Sequence, residues 1–170
     1  KIVYGTDNGS LYCLNVSGGK LIWKTVVKGG IWGDFTISDN SLYLATLKGL
    51  IYNFDINDGK KQWRNPAPVD GKIYSDVFSV DSSIIFATNK GWIYSIFKNG
   101  KLNWKKAIEA DSFAQSGFSV TKKGILVLTN KGDFFLFSSK NGQMIRKIAL
   151  GGEFRGKISV NDSGLAFASM

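Results

Sequence analysis

Two short motifs recur four times along this chain, about forty residues apart, and no other feature constrains its fold as strongly. The first motif reads Thr-x-x-Gly-x-apolar-aromatic-x-apolar, with spacings of 40, 42 and 41 residues between its glycines. These glycines are Gly9, Gly49, Gly91 and Gly132. The second motif reads Gly-Lys-x-x-Trp-Lys/Arg and places Trp23, Trp63 and Trp104 in step with the first, while a weaker fourth copy carries Ile145. Repeats of this length predict stacked units that bury apolar surface against one another.

Each repeat divides into short strand-like runs separated by turn residues. In the second repeat we predict strands over 41–46, 50–56 and 60–64, then a loop through Pro66 and Pro68, then a strand over 73–80. Apolar residues fill these strands almost without alternation, which is typical of a sheet covered on both faces. No segment has apolar residues spaced at 3.6, so we expect no helix. Four short antiparallel strands every forty residues predict an all-β fold, the β-propeller.

The order of the strands predicts an incomplete propeller. We place the inner strand of each blade within 31–37, 73–80, 113–120 and 154–160. The chain then supplies three strands of a first blade, four strands of each of three more, and two strands of a fifth. We treat residues 1–170 as one partial propeller domain. Its repeats are predicted at 2–40, 41–82, 83–123 and 124–163, with a fifth starting at 164–170. The alternative is a self-closed ring of four blades.

These motifs resemble the pyrroloquinoline quinone (PQQ) repeat, the blade of quinoprotein-like propellers, and the resemblance covers essentially the whole chain. They differ from the WD40 type because the sequence has no Trp-Asp dipeptide. The resemblance implies PQQ-like four-stranded antiparallel blades in which Trp23, Trp63 and Trp104 dock neighbouring blades. It also implies seven or eight blades in a full member. The four blades here would then form an arc, closed by further sequence or by a second copy in a homodimer.

The family that the repeat resembles includes quinone-dependent dehydrogenases and non-catalytic scaffolds, among them outer-membrane assembly lipoproteins of the BamB type. A dehydrogenase of this kind needs PQQ, a calcium ion held by carboxylate and amide side chains, and a catalytic Asp. Its members often carry adjacent cysteines, but Cys13 is the one cysteine here and lies in an apolar run. Asp34 and Asp76 occupy equivalent inner-strand positions and are the candidates for the channel lining. We interpret them as solvated channel residues and expect no cofactor, with PQQ and calcium as the alternative.

Composition excludes several chemistries and leaves one charge-based alternative. The chain has no histidine, which removes imidazole metal sites and Ser-His-Asp catalysis. Its net charge of +9 favours acidic partners, but the basic residues are scattered and form no block of five. We therefore do not expect a nucleic-acid ligand, and we retain binding to an anionic polymer as a third alternative. No apolar run approaches the roughly 20 residues that span a bilayer.

The loops before the inner strands differ most between repeats, and variable loops on a rigid repeat are typical binding surfaces. Trp32, Tyr74, Phe113 and Arg155 lie near the ends of these loops, and aromatic and arginine side chains are common interface anchors. The alternative is that they pack internally at the channel rim. Our leading hypothesis is a non-catalytic scaffold for a protein partner, in cell-envelope assembly or at the cell surface, with the partial propeller of a PQQ- and calcium-dependent dehydrogenase as the alternative. The resemblance implies a periplasmic or extracellular location.

Overall fold

The computed structural model describes residues 1–65, 67–108, 117–152, 154, 158–160 and 165–166, and this part of the chain contains seventeen strands and no helix. The strands form five antiparallel sheets in chain order, which we call blades 1 to 5. Blade 1 holds β1 (Ile2–Gly5), β2 (Ser10–Leu14) and β3 (Leu21–Val26). Blade 2 holds β4 (Thr36–Ser38), β5 (Ser41–Ala45), β6 (Leu50–Asp55) and β7 (Ala67–Pro68). Blade 3 holds β8 (Phe78–Val80), β9 (Ser83–Thr88), β10 (Trp92–Phe97) and β11 (Leu102–Ala107). Blade 4 holds β12 (Gly117–Thr121), β13 (Gly124–Leu128), β14 (Asp133–Phe137) and β15 (Met144–Ala149), and blade 5 holds β16 (Ser159–Val160) and β17 (Leu165–Ala166).

The predicted all-β class and the four-stranded antiparallel blades are confirmed. Within each complete blade the chain runs from an inner strand through a second and a third strand to an outer one, each paired with the next. Blade 1 lacks an inner strand in the described residues, and β16 and β17 form the two-stranded blade 5. The strands are therefore distributed among the blades as the sequence predicts.

Three strand predictions are wrong in detail. The inner strands β4 and β8 begin at Thr36 and Phe78, five residues after the predicted starts at 31 and 73. The residues that precede these two strands form a hydrogen bond between blades instead: Val77 N donates to the carbonyl oxygen of Asp34 at 3.0 Å. The predicted outer strand over 60–64 forms only an isolated bridge between Phe54 and Lys61. The outer strand of blade 2 is β7, so Pro68 lies in an edge strand rather than in a loop, and an edge strand tolerates proline.

The Thr-x-x-Gly motif builds the turn between the second and third strands. The amide of the motif glycine donates to the threonine carbonyl in all four copies, at 2.9 to 3.1 Å. The glycine carbonyl then accepts from the residue that follows the outer strand, for example Val69 N to Gly49 O at 2.9 Å. Gly49 has φ +67°, and a Cβ there would lie 2.4 Å from the carbonyl oxygen of Gly71. Glycine is therefore required by both the backbone conformation and the close approach.

The apolar core lies between blades, which explains the strands that lack polar alternation. Successive residues of β5 point to opposite faces, so Leu42 and Leu44 pack with blade 1 while Tyr43 and Ala45 pack with blade 3. In blade 3, Ile84 and Phe86 pack toward blade 2, and the intervening Ile85 and Ala87 pack toward blade 4. Cys13 is fully buried in the core between blades 1 and 2. Each blade thus covers an apolar face of the next.

Candidate interaction surface

The segments that precede β4 and β8 meet side by side and bring four predicted site residues together. We call Trp32, Asp34, Tyr74 and Asp76 the rim cluster. The Asp34 amide donates to Oδ1 of Asp76 at 2.9 Å, next to the backbone bond from Val77 N to the Asp34 carbonyl. The contact is close because residue 33 is glycine: a Cβ there would lie 2.2 Å from the Ser75 carbonyl oxygen. One backbone–backbone hydrogen bond and one from a backbone amide to a carboxylate therefore join the two segments of the rim cluster.

The aromatic half of the rim cluster is exposed. Trp32 is 67% exposed, and its ring meets the half-buried Tyr74 edge-on, with centroids 6.3 Å apart and an interplanar angle of 79°. Because the Tyr74 ring contacts the exposed indole, a partner could bind its large apolar surface with little loss of side-chain conformational entropy. Tryptophan and tyrosine are also the residue types that most often dominate binding energy at protein interfaces.

The acidic half of the rim cluster is engaged with protein groups. Asp34 is exposed and Asp76 is half-buried, with one carboxylate oxygen of Asp76 accepting the backbone bond described above. Within the described ranges, no group of three or more carboxylate or thiol side chains is placed to hold a metal ion. Phe113 and Arg155, the other two predicted site residues, lie outside the described residues.

The three repeat tryptophans cross from one blade to the next. Trp23 is 8% exposed, its Nε1 donates to the Ile56 carbonyl at 3.1 Å, and its ring lies against Gly59, where a Cβ would come within 2.7 Å. Trp63 repeats this geometry in the next junction, with Nε1 donating to the Lys98 carbonyl at 3.0 Å. A Cβ on Gly100 would lie 3.5 Å from the Trp63 ring.

Trp104 makes the same ring contact without the hydrogen bond. A Cβ on Gly142 would lie 2.6 Å from the Trp104 ring. The Nε1 of Trp104 is buried and has no hydrogen-bond partner in the described part of the chain. Each of the three tryptophan rings thus lies against the turn glycine of the following blade.

Two contacts between blades were not predicted. The Tyr52 hydroxyl of β6 accepts from the Lys28 amide at 3.0 Å, and the Tyr94 hydroxyl of β10 accepts from the Asp70 amide at 3.2 Å. Both amides lie in loops that follow the outer strand of the preceding blade. The sequence feature that could have predicted both contacts is the tyrosine in the middle of the third strand of blades 2 and 3. Blade 4 has Phe135 at this position, which has no hydroxyl group to accept the hydrogen bond.

Lysine side chains follow the same repeat. The lysine after the motif tryptophan lies over an aromatic ring of the third strand, with Lys24 Nζ 4.8 Å from the Tyr12 centroid and Lys105 Nζ 4.3 Å from the Trp92 centroid. The hydrogen bond from Lys24 lowers the pKa of Tyr12. At the neighbouring loop, the Asp70 carboxylate is 2.6 Å from Lys90 Nζ and raises the pKa of Lys90 above its ordinary value.

Comparison with known proteins identifies the blade type. The PQQ-repeat family model described as "Outer membrane protein assembly factor BamB" matches residues 1–146. The outer membrane protein assembly factor BamB of Legionella pneumophila (strain Paris) is 32% identical over 79 residues, which cover 40% of this chain and 21% of that protein. The crystal structure of BamB from Moraxella catarrhalis aligns with a TM-score of 0.79 at 17% identity, covering 98% of this chain and 55% of that one. The computationally designed Ika8 protein aligns with a TM-score of 0.82 at 14% identity, covering 98% of this chain and 52% of that one.

Proposed function

The chain belongs to the PQQ-repeat family described as outer membrane protein assembly factor BamB, and on this premise we propose that it is a non-catalytic propeller scaffold that binds a protein partner in outer-membrane assembly. The match spans about a fifth of the length of the curated relative and about half of the solved BamB. Partner binding and a periplasmic location are therefore proposals drawn from the family. The observation that carries the binding role is the rim cluster, with its exposed Trp32.

Rigidity supports this role for the rim cluster. The hydrogen bonds from the Asp34 and Val77 amides and the close approach at Gly33 hold the two segments together before binding. Binding to such a surface orders few new groups, so less of the contact energy is lost as entropy. Trp32 is the central anchor in this proposal, and Tyr74 fixes the orientation of its ring.

The experiment is capture of partners from detergent-solubilised outer membranes, with the bound proteins identified by mass spectrometry. We expect wild-type chain to retain an outer-membrane assembly protein and Trp32→Ala to retain at least about tenfold less, as for an interface anchor. Val16→Ala, which truncates a side chain that is 62% exposed in the turn between β2 and β3, is the control and should capture normally. Equal capture by Trp32→Ala and Val16→Ala would refute the rim cluster as the binding surface.

The dehydrogenase alternative lacks support from the described residues. Asp76 already accepts a backbone hydrogen bond, and its neighbour Asp34 brings the described carboxylates there to two. We propose that the chain binds neither PQQ nor calcium. Adding both should give no bound-quinone absorbance band and no reduction of an acceptor dye; appearance of both signals would restore the alternative.

A further inference from the structure

Blade 2 differs from the other blades in the length of its outer edge. In blades 1, 3 and 4, five residue steps along the outer strand oppose four steps along the third strand, because each pair contains a one-residue bulge. In blade 2 the partners of Phe54 and Leu50 are Lys61 and Pro68, which are seven steps apart. Blade 2 therefore contains two additional residues at its outer edge.

A cleft between blades 2 and 3 lies beside this longer outer edge. Residues 62–65 form successive bends in place of a strand. Between them and the β10–β11 edge of blade 3 lies a cleft of about 850 Å³. The equivalent groove between blades 3 and 4, lined by Phe135, Phe137 and Met144 among others, measures about 350 Å³.

The cleft combines an apolar floor with a cationic rim. Tyr94 and Ile96 form its buried floor, and the half-buried Trp63 and the 56% exposed Leu102 form apolar walls. Arg64 and Lys105 line its mouth and are exposed. Among the described residues, the lining includes one carboxylate, Asp70, which is paired with Lys90 at 2.6 Å.

We propose that this cleft binds an extended acidic peptide segment of a protein partner. Alternate side chains of an extended peptide point in opposite directions, so apolar residues can enter between Trp63 and Leu102 while carboxylates reach Arg64 and Lys105. Lys105 is already oriented, since its ammonium group lies over the Trp92 ring. Two cations on one apolar slot suit a short peptide better than a polyanion, which needs a continuous basic track. The site lies on the outer edge, apart from the rim cluster, and does not depend on the proposed function.

The test is fluorescence anisotropy with a labelled peptide that alternates Asp and Leu over seven residues, and with a matched peptide that carries Lys in place of Asp. We expect the acidic peptide to bind and the basic peptide to bind at least about tenfold more weakly. Arg64→Gln/Lys105→Gln should weaken binding of the acidic peptide by about tenfold or more. Lys24→Gln is the control, because it removes the repeat-equivalent cation over Tyr12 in blade 1.

Several outcomes would overturn the proposal. The first is absence of binding by the acidic peptide. The second is an equal loss of peptide affinity in Lys24→Gln and in the double variant. The third is displacement of the peptide by a single-stranded oligonucleotide of equal charge. Circular dichroism of each variant verifies folding, and amide chemical-shift changes on titration should map to residues 94–105 of wild-type chain. Trp32→Ala should bind the peptide normally, so that failure of this site and failure of the rim cluster are distinguishable.

Discussion

At the scale of single residues, equivalent positions of the repeat carry different interactions. Trp23 and Trp63 both donate an indole hydrogen bond to the next blade, whereas the buried Nε1 of Trp104 has no partner in the described residues. The sequence predicts all three rings at the junctions, because their spacing is regular. It does not predict the hydrogen bonds, since the acceptors are backbone carbonyls in turns whose length differs between blades.

Replacing Trp by Phe should separate the ring contact from the hydrogen bond. Trp23→Phe and Trp104→Phe both shrink a ring at a blade junction, but only Trp23→Phe also removes a hydrogen bond, and the Ile56 carbonyl then keeps Lys1 Nζ, at 3.3 Å, as its donor. We expect Trp23→Phe to lower the free energy of unfolding by about 1 kcal/mol beyond the loss in Trp104→Phe. Urea unfolding followed by circular dichroism measures both. Equal losses would mean that the indole hydrogen bond contributes nothing.

The Asp70–Lys90 ion pair has a pH dependence of defined sign. Asp70 raises the pKa of Lys90 above its ordinary value of 10.5, so the pair stabilises the fold below that value and the contribution is lost as pH rises through the folded pKa. Asp70→Asn should therefore return the pKa of Lys90 toward 10.5. The stability difference between Asp70→Asn and wild type should be small at neutral pH and vanish in strong alkali. An NMR titration of the Lys90 side chain tests the shift, and an unchanged pKa in Asp70→Asn would contradict it.

At the scale of elements, local patterns predict the second and third strands well, but they place the inner strands of blades 2 and 3 too early and miss the outer strand of blade 2. β5 and β9 are buried on both faces and bounded by turns, so their apolar runs specify them. Residues 73–77 have the same strand-like composition, yet they pair with the segment around Asp34, more than forty residues earlier. A contact at that separation leaves no trace in local sequence.

The extra residues in blade 2 disrupt its outer strand. The only sequence feature that indicated an insertion there is the longest spacing between motif glycines, 42 residues.

Alanine substitution in the Gly-Lys turns should report on the junction between blades. Gly59 and Gly19 occupy equivalent turns with φ +71° and +64°, but only Gly59 lies against a tryptophan, while nothing lies within 4 Å of a Cβ on Gly19. Both substitutions incur the cost of a left-handed residue, about 1 kcal/mol. Gly59→Ala should lose a further 1–3 kcal/mol or so, because the Trp23 ring must move.

Thermal unfolding compares the two alanine variants. The near-ultraviolet circular dichroism of tryptophan should change in Gly59→Ala and not in Gly19→Ala. Matching unfolding temperatures and matching spectra would show that the ring contact adds nothing to the turn.

At the scale of the whole molecule, the repeat predicts which residues become neighbours. Trp32 and Tyr74, like Asp34 and Asp76, are 42 residues apart, so stacking of adjacent blades brings both pairs together. The number of blades and the rim cluster therefore follow from periodicity. The cleft at blade 2 does not, because it arises where the periodicity fails.

Blade 4 presents an exposed apolar side chain at the position of the junction tryptophan. Ile145 occupies this position and is 58% exposed, as is the adjacent Met144, whereas Trp23 at the equivalent position of blade 1 is 8% exposed. We propose that a second copy can cover this face and close a ring. Sedimentation velocity on residues 1–170 should show concentration-dependent self-association. Met144→Lys/Ile145→Lys should reduce it, whereas Val16→Lys in a surface turn should not; a monomer at every concentration would contradict the proposal.

The tryptophan contacts have a direction, since Trp23, Trp63 and Trp104 each lie against a turn glycine of the blade that follows along the chain. Such head-to-tail contacts are heterologous. One end of a row of blades therefore always presents an unpaired tryptophan position, and the opposite end presents an unpaired turn. Only a closed circle satisfies both ends at once.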